Sequence, residues 1–180
     1  MGANGLYVGQ WWPLRICALR DGCHGETEAG ISGEKSKGVS AITISDGGYQ
    51  NEQLGGTTSG ADILAEADEI WYCGTESKDS TPTRSTSLML ESHAEFPDQP
   101  IRVLRGASKF SCAPSVGLRY DGLYKIMEYE LVNEATAMYR FRMKRLEGQA
   151  PIRAVGELAR PNKYEIGESK KLKLYTREEI

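Results

Sequence analysis

Histidine occurs only at His24 and His93, and the four cysteines, Cys17, Cys23, Cys73 and Cys112, contain no C-x-x-C pair. A tetrahedral zinc site needs about four closely grouped ligands, commonly in short paired spacings, so this pattern speaks against a structural metal. Scattered free thiols fit a reducing compartment better than a disulfide framework. No apolar run reaches the length of a membrane span, and no basic segment followed by an apolar stretch marks a secretory leader. Leu6 stands where a myristoylation signal needs Ser or Thr. G-x-G-x-x-G and G-K-[ST] are both missing, which removes the usual phosphate-cradling loops. No internal repeat is present. The expectation is an intracellular protein without membrane attachment, cofactor or metal.

What is present suits one domain with a real core: 180 residues, 39% hydrophobic and 26% charged. The net charge of −3 hides an asymmetry, since residues 1–100 carry 6 Lys+Arg against 15 Asp+Glu and residues 101–180 carry 16 against 10. A chain that is acidic overall can still turn one basic face to phosphates. Along the chain, residues 11–19 read as a strand and the glycine-containing stretch 20–38 as loops. Residues 39–45 alternate as a strand and run into Asp46-Gly47-Gly48-Tyr49. A short helix suits 61–68, a strand 69–73, and a helix 86–94 capped by Ser85 or Thr86. Strands follow at 101–105, 123–131 and 137–146, the last two joined by a hairpin turn around Asn133. Beyond Pro151 the chain turns polar. Residues 165–179 read as a linker, or as a helix in need of a partner, so the domain is set at 1–153 with a 154–180 extension. Short strands with few helices make an α+β protein on a curled sheet or barrel.

Several residues could carry chemistry. In the strand 137–146, Tyr139, Phe141 and Met143 share one face, and Arg140, Arg142 and Lys144 share the other. Same-face neighbours lie about 6.6 Å apart, a spacing that can follow phosphates. The same cations can equally pair across the hairpin with Glu128 and Glu130. Cys23-His24 is a poor thiolate–imidazole pair, because adjacent side chains seldom meet productively and no third group orients them. Glu66, Asp68 and Glu69 read as a solvated face. Tyr49 and Tyr72 sit at strand ends beside glycine, where a ring can stack a base or simply close a core.

Arg119-Tyr120-Asp121-Gly122-Leu123-Tyr124 resembles the RYDGxY element of the SRA (YDG) domain family. Further pieces follow in family order. Gly5-x-x-Val8-Gly9-x-x-Trp12 is similar to the opening motif, Ala29-Gly30-Ile31-x-Gly33 to AGIHG, and Gly47-Gly48-Tyr49 to GGY. Residues 99–105 resemble the PVRVxR strand, Ala113-Pro114-x-x-Gly117 precedes RYDG, and Tyr139-Arg140-Phe141-Arg142 corresponds to the strand after the YDG hairpin. The likeness covers residues 5–153. It implies a PUA-like curled sheet or partial barrel that flips a 5-methylcytosine, or 5-hydroxymethylcytosine, out of duplex DNA. The base would lie between Tyr49 and Tyr72, with Glu52 on the cytosine edge and Cys73 near the 5-substituent. Backbone groups of Gly47, Gly48 and Gly74 would complete the pocket. Ser32, Arg140, Arg142 and Lys144 are the candidate phosphate contacts. A fused or separate effector, such as the nuclease of a modification-dependent endonuclease, is an implied partner. Such a protein works in a nucleus if eukaryotic and in the cytoplasm if bacterial.

The chain departs from the pattern in places. Glu52 replaces an Asp, Ser32 replaces the histidine of AGIHG, and the acidic run after GGY is broken. The loop after Gly74 is short and lacks the Asn-Lys-Arg finger of vertebrate maintenance-methylation readers. Glu28 stands at the opposite thumb position. With neither device to inspect the second strand, hemimethylated and fully methylated sites are expected to bind with equal per-site affinity.

Overall fold

The computed structural model describes residues 2–45 and 67–178. Seven strands form one sheet: β1 (Trp11–Trp12), β2 (Ile31–Glu34), β3 (Gly38–Ile44), β4 (Glu69–Cys73), β5 (Ile101–Gly106), β6 (Leu118–Asn133) and β7 (Met138–Arg145). Their order is β2-β3-β5-β6-β7-β4, with β1 paired to β6. β3 and β5 are parallel and the other pairings antiparallel. Among the described residues, three helices accompany the sheet: α1 (Arg15–Arg20), α2 (Arg84–Glu95) and α3 (Lys163–Glu178). The α+β class expected from the sequence is the one observed.

Both faces of the sheet are covered. On one, Ile42, Ile44, Tyr72, Phe141 and Met143 pack under Met89 of α2. On the other, Ala41, Leu104 and Tyr120 pack against Trp12 and Ala18 of α1. Burial on both sides leaves β3 and β5 without an alternating exposed face, and in β5 even Arg102 and Arg105 are buried.

Four stretches differ from the sequence reading. Residues 11–19 form two residues of strand and then a helix. Pro13 has no N–H for the ladder and stops β1 after Trp12, and Arg15–Arg20 winds so that Ala18 is buried against the sheet. β2 lies inside the stretch read as loops. Its Gly33 answers a close approach rather than a turn, because a Cβ there would meet Gly38 O at 2.4 Å and Val39 Cα at 2.7 Å. β6 starts at Leu118 and runs straight through the RYDG element. α2 begins earlier as well: its cap is Thr83, whose hydroxyl accepts from Thr86 N at 3.3 Å, while Thr86 Oγ1 donates to Thr75 O at 3.1 Å.

RYDG can run through a strand because its acid is held inside. Asp121 is fully buried, with Arg105 Nε at 2.5 Å and Arg119 Nε at 2.7 Å. Arg119 also donates to Cys112 O at 2.6 Å and, more loosely, to Arg153 O and Arg160 O. The chain beyond 153 is therefore tied to the same core, where Ile152 packs with Ala67 and Cys112. The tail read as a linker or lone helix is α3, capped by Asn162 Oδ1, which accepts from Tyr164 N and Glu165 N at 3.0 Å. Among the described residues, no helix is long and apolar enough to cross a membrane.

Candidate base-binding pocket

β4 ends in Tyr72-Cys73-Gly74, and here the sheet opens into a cavity of about 310 Å³. Tyr72 and Cys73 form one wall, Gly30 and Ile31 at the start of β2 another, and Thr43 and Ser45 at the end of β3 a third. Thr75, in the loop leading into α2, and Ser85, in the first turn of α2, complete the rim. The volume is at the small end of ordinary ligand sites. Among the described residues, hydroxyls, one thiol and one aromatic ring line it beside the apolar Ala29 and Ile31, so that the ring of Tyr72 offers a stacking face.

Tyr72 is only 6% exposed, and its ring needs Gly30. A Cβ on residue 30 would lie 2.9 Å from the Tyr72 hydroxyl oxygen. Gly74 is set in the same way, since its N–H donates to Tyr139 O at 2.8 Å and a Cβ would reach Thr86 Oγ1 at 2.8 Å. Arg15 reaches over from α1 and lines the cavity, its Nη1 donating to Glu28 O at 2.6 Å and Ala29 O at 3.0 Å. One guanidinium thus braces the loop that carries Glu28 and puts positive charge beside it.

Behind this loop lies a buried polar cluster. Gly25 N donates to Ser32 Oγ at 3.0 Å, and Ser32 Oγ lies 3.2 Å from Ser40 Oγ. Ser32 is 4% exposed and turned inward, so it organises the loop and does not face a phosphate. Glu26 N donates to His24 Nδ1 at 3.1 Å, and burial keeps this imidazole below its ordinary pKa. Burial also pushes the Cys23 thiol up to about 12. A protonated thiol beside a neutral imidazole is the opposite of an activated nucleophile.

The arginines of β7 are engaged. Arg140 pairs with Glu130 and lies 4.6 Å from the centroid of the Trp71 ring. Arg142 bridges Glu69 at 2.7 Å and Glu128 at 2.6 Å. Lys144 is exposed and stands in register between Glu69 of β4 and Lys125 of β6. Of the two arrangements the sequence left open, cross-strand pairing is the one present for both arginines.

Tyr72 and Cys73 are thus placed together in the cavity wall, with Gly74 directly after them. Gly47, Gly48, Tyr49 and Glu52 lie outside the described residues. Sequence reasoning missed Arg15, Thr43, Ser45, Thr75 and Ser85. Arg15 sits in a stretch read as strand, and single hydroxyls carry no pattern that announces a pocket.

Residues 1–149 match the family model of the SAD/SRA domain. A UHRF1-like protein of Cryptococcus neoformans is 30% identical over 173 residues, covering 82% of this chain and 46% of that protein. The E3 ubiquitin-protein ligase UHRF1 of Rattus norvegicus is 28% identical over 162 residues, covering 78% of this chain and 20% of that protein. The chain therefore spans less than half the length of these relatives. Among solved structures, the modification-dependent TagI restriction endonuclease superposes with a TM-score of 0.61 at 28% identity, over 79% of this chain and 50% of that one. The SRA domain of SUVH5, in complex with hemimethylated CG DNA, superposes with a TM-score of 0.62 at 24% identity, over 82% of this chain and 94% of that one.

Proposed function

The chain belongs to the SAD/SRA domain family, and from that premise we propose that it binds duplex DNA by turning one modified cytosine out of the stack into the Tyr72 cavity. The observation that carries this reading is the cavity itself: a slot with one aromatic wall, rimmed by Arg15 and open at a strand end. Tyr72 stacks one face of the base, and Tyr49 supplies the second face. Glu52 accepts from the cytosine amine, Gly47 and Gly48 bring backbone close to the base, and Cys73 with its hydroxyl neighbours meets the 5-substituent. Arg15, at the mouth, takes the phosphate of the extruded nucleotide.

The energies are compatible. Extrusion costs a few kcal/mol, stacking on an aromatic ring returns ~1–3 kcal/mol per base, and a buried methyl adds about 0.8 kcal/mol. Preference over plain cytosine therefore rests on a small term and is modest. The chain binds without a catalytic step of its own, and any effector lies in further domains or separate proteins, in a nucleus or a bacterial cytoplasm. The likeness to half of the TagI chain favours a second reading, a specificity module for a nuclease. Attachment to a nuclease segment in the full-length protein separates the two.

Titration with plain, hemimethylated, fully methylated and hydroxymethylated duplexes at one salt concentration tests the proposal, because affinities at different salt are not comparable. Modified duplexes should bind more tightly than plain, with equal per-site affinity for one or two methyl groups. Tyr72→Ala and Tyr49→Ala should each abolish the preference while the folded circular dichroism spectrum is kept. Equal binding of plain and modified duplexes by the wild type would exclude the pocket as a base reader.

A further inference from the structure

A second cavity, of about 280 Å³, opens between β2 and α2 and is lined by Gly33, Lys35, Arg84, Ser87, Leu88 and Glu91. The same two elements supply Ile31 and Ser85 to the base pocket, so both cavities are built on β2 and the start of α2. Resting on the reading above, we infer that the phosphodiester backbone flanking the extruded nucleotide lies along this cleft and is held by Arg84 and Lys35.

Arg84 is the strongest sign. It is the first residue of α2, after the Thr83 cap, and no acidic residue occupies that first turn. A cation at a helix N-terminus opposes the helix dipole, and Arg84 has no ion pair among the described residues. Arg84 is exposed, and a polyanion lying over the neighbouring pocket would give its guanidinium a partner. Lys35 lies on the opposite bank with its side chain 88% exposed, and among the described residues its carboxylate neighbour is Glu91 at 3.8 Å, too far to fix the ammonium. From Ile31 to Lys35 is about 13 Å of extended chain, close to four base steps at ~3.4 Å each. A strand whose base enters the pocket would thus pass both cations.

The other routes away from the pocket are less favourable. Along β7 the arginines are already neutralised by Glu69, Glu128 and Glu130, and an incoming phosphate would have to displace carboxylates. On the far side of the mouth stands the exposed side chain of Glu28. The cleft has its own acid in Glu91, and Lys37 is held at 2.7 Å by Glu34, which leaves Arg84 and Lys35 as the cations that face it.

Fluorescence anisotropy of the whole chain across a salt series decides the matter, using plain and fully methylated duplexes. Arg84→Gln and Lys35→Gln should each lower the slope of log affinity against log salt by ~1, and the double variant by ~2. Both duplexes should weaken by the same factor, leaving their ratio unchanged. Glu91→Gln should tighten binding to both. Tyr72→Ala should do the reverse of the arginine variant, losing the ratio and keeping the slope. A double variant with the wild-type slope, beside an intact preference for methylated duplex, overturns the cleft assignment. A wild type without that preference overturns the pocket reading instead. All the substituted cleft side chains reach solvent, so unchanged melting curves for the variants show that the slopes report contacts and not folding.

Discussion

Asp121 gives the family its motif, and its carboxylate faces no ligand. Burial alone would raise its pKa, but Arg119 and Arg105 on either side hold it below the ordinary carboxylate value. Removing one member of such a group leaves unpaired buried charge, which is far more damaging than losing a surface pair. Asp121→Asn strands two guanidiniums that are 0% and 1% exposed. It should lower unfolding free energy by about 3–5 kcal/mol, measured by denaturant titration. DNA affinity measured at a temperature where the variant is still folded should change little. A variant as stable as the wild type would mean that Arg105 and Arg119 find other anions or water. Tyr72 presents the opposite case: its ring stands in the cavity wall because Gly30 leaves space at its hydroxyl.

The elements divide the work between them. β6 and β7 form the longest ladder in the sheet, and their outer face carries alternating charges that satisfy one another across the strands. Arg142 sits at the centre of that face, between Glu69 of β4 and Glu128 of β6. Both contacts help keep its guanidinium charged, the Glu69 hydrogen bond most strongly. Arg142→Gln should therefore lower the melting temperature slightly and leave the salt dependence of DNA binding as it is. A slope reduced by about one would assign Arg142 to the phosphate backbone after all. α2 works differently. Its apolar side, around Met89, covers the core, while its first turn carries Ser85 to the pocket and Arg84 to the cleft.

For the whole molecule, the RYDG strand is tied by hydrogen bonds to the segment that follows residue 152. Arg119 Nη1 donates to the carbonyls of both Arg153 and Arg160, and Arg160 N donates to Arg153 O at 2.9 Å. A chain ended after Arg153 loses one of those acceptors, while a chain ended after Asn162 keeps both and loses only α3. The shorter truncation product should melt at a distinctly lower temperature than the full chain, and the longer one close to it. Equal melting of the two would show that the Arg160 carbonyl contributes nothing to holding Arg119.

Much of the molecule was legible in the chain, for a local reason. β3, β4, β5 and the β6–β7 hairpin declare themselves through apolar β-branched and aromatic residues, and the alternation along β7 assigned its faces correctly. Tyr72 and Cys73 could be singled out because an apolar strand ends there beside a glycine and the family resemblance implies a base-binding pair at that place. The rest was decided by contacts distant in sequence. Gly33 permits a strand only because residues 38 and 39 pass close by, and Asp121 tolerates a strand interior only because Arg105 and Arg119 flank it. The pairing of Arg140 and Arg142 depends on which strands lie next to β7. Arg15 belongs to the pocket because α1 folds back over the sheet to reach residues 28 and 29. Local pattern determines which segments become strands and which motif residues are worth watching. Only packing decides which charges are neutralised inside the protein and which are left to face a ligand, because a charge is spent or spared by neighbours that the linear sequence does not bring together.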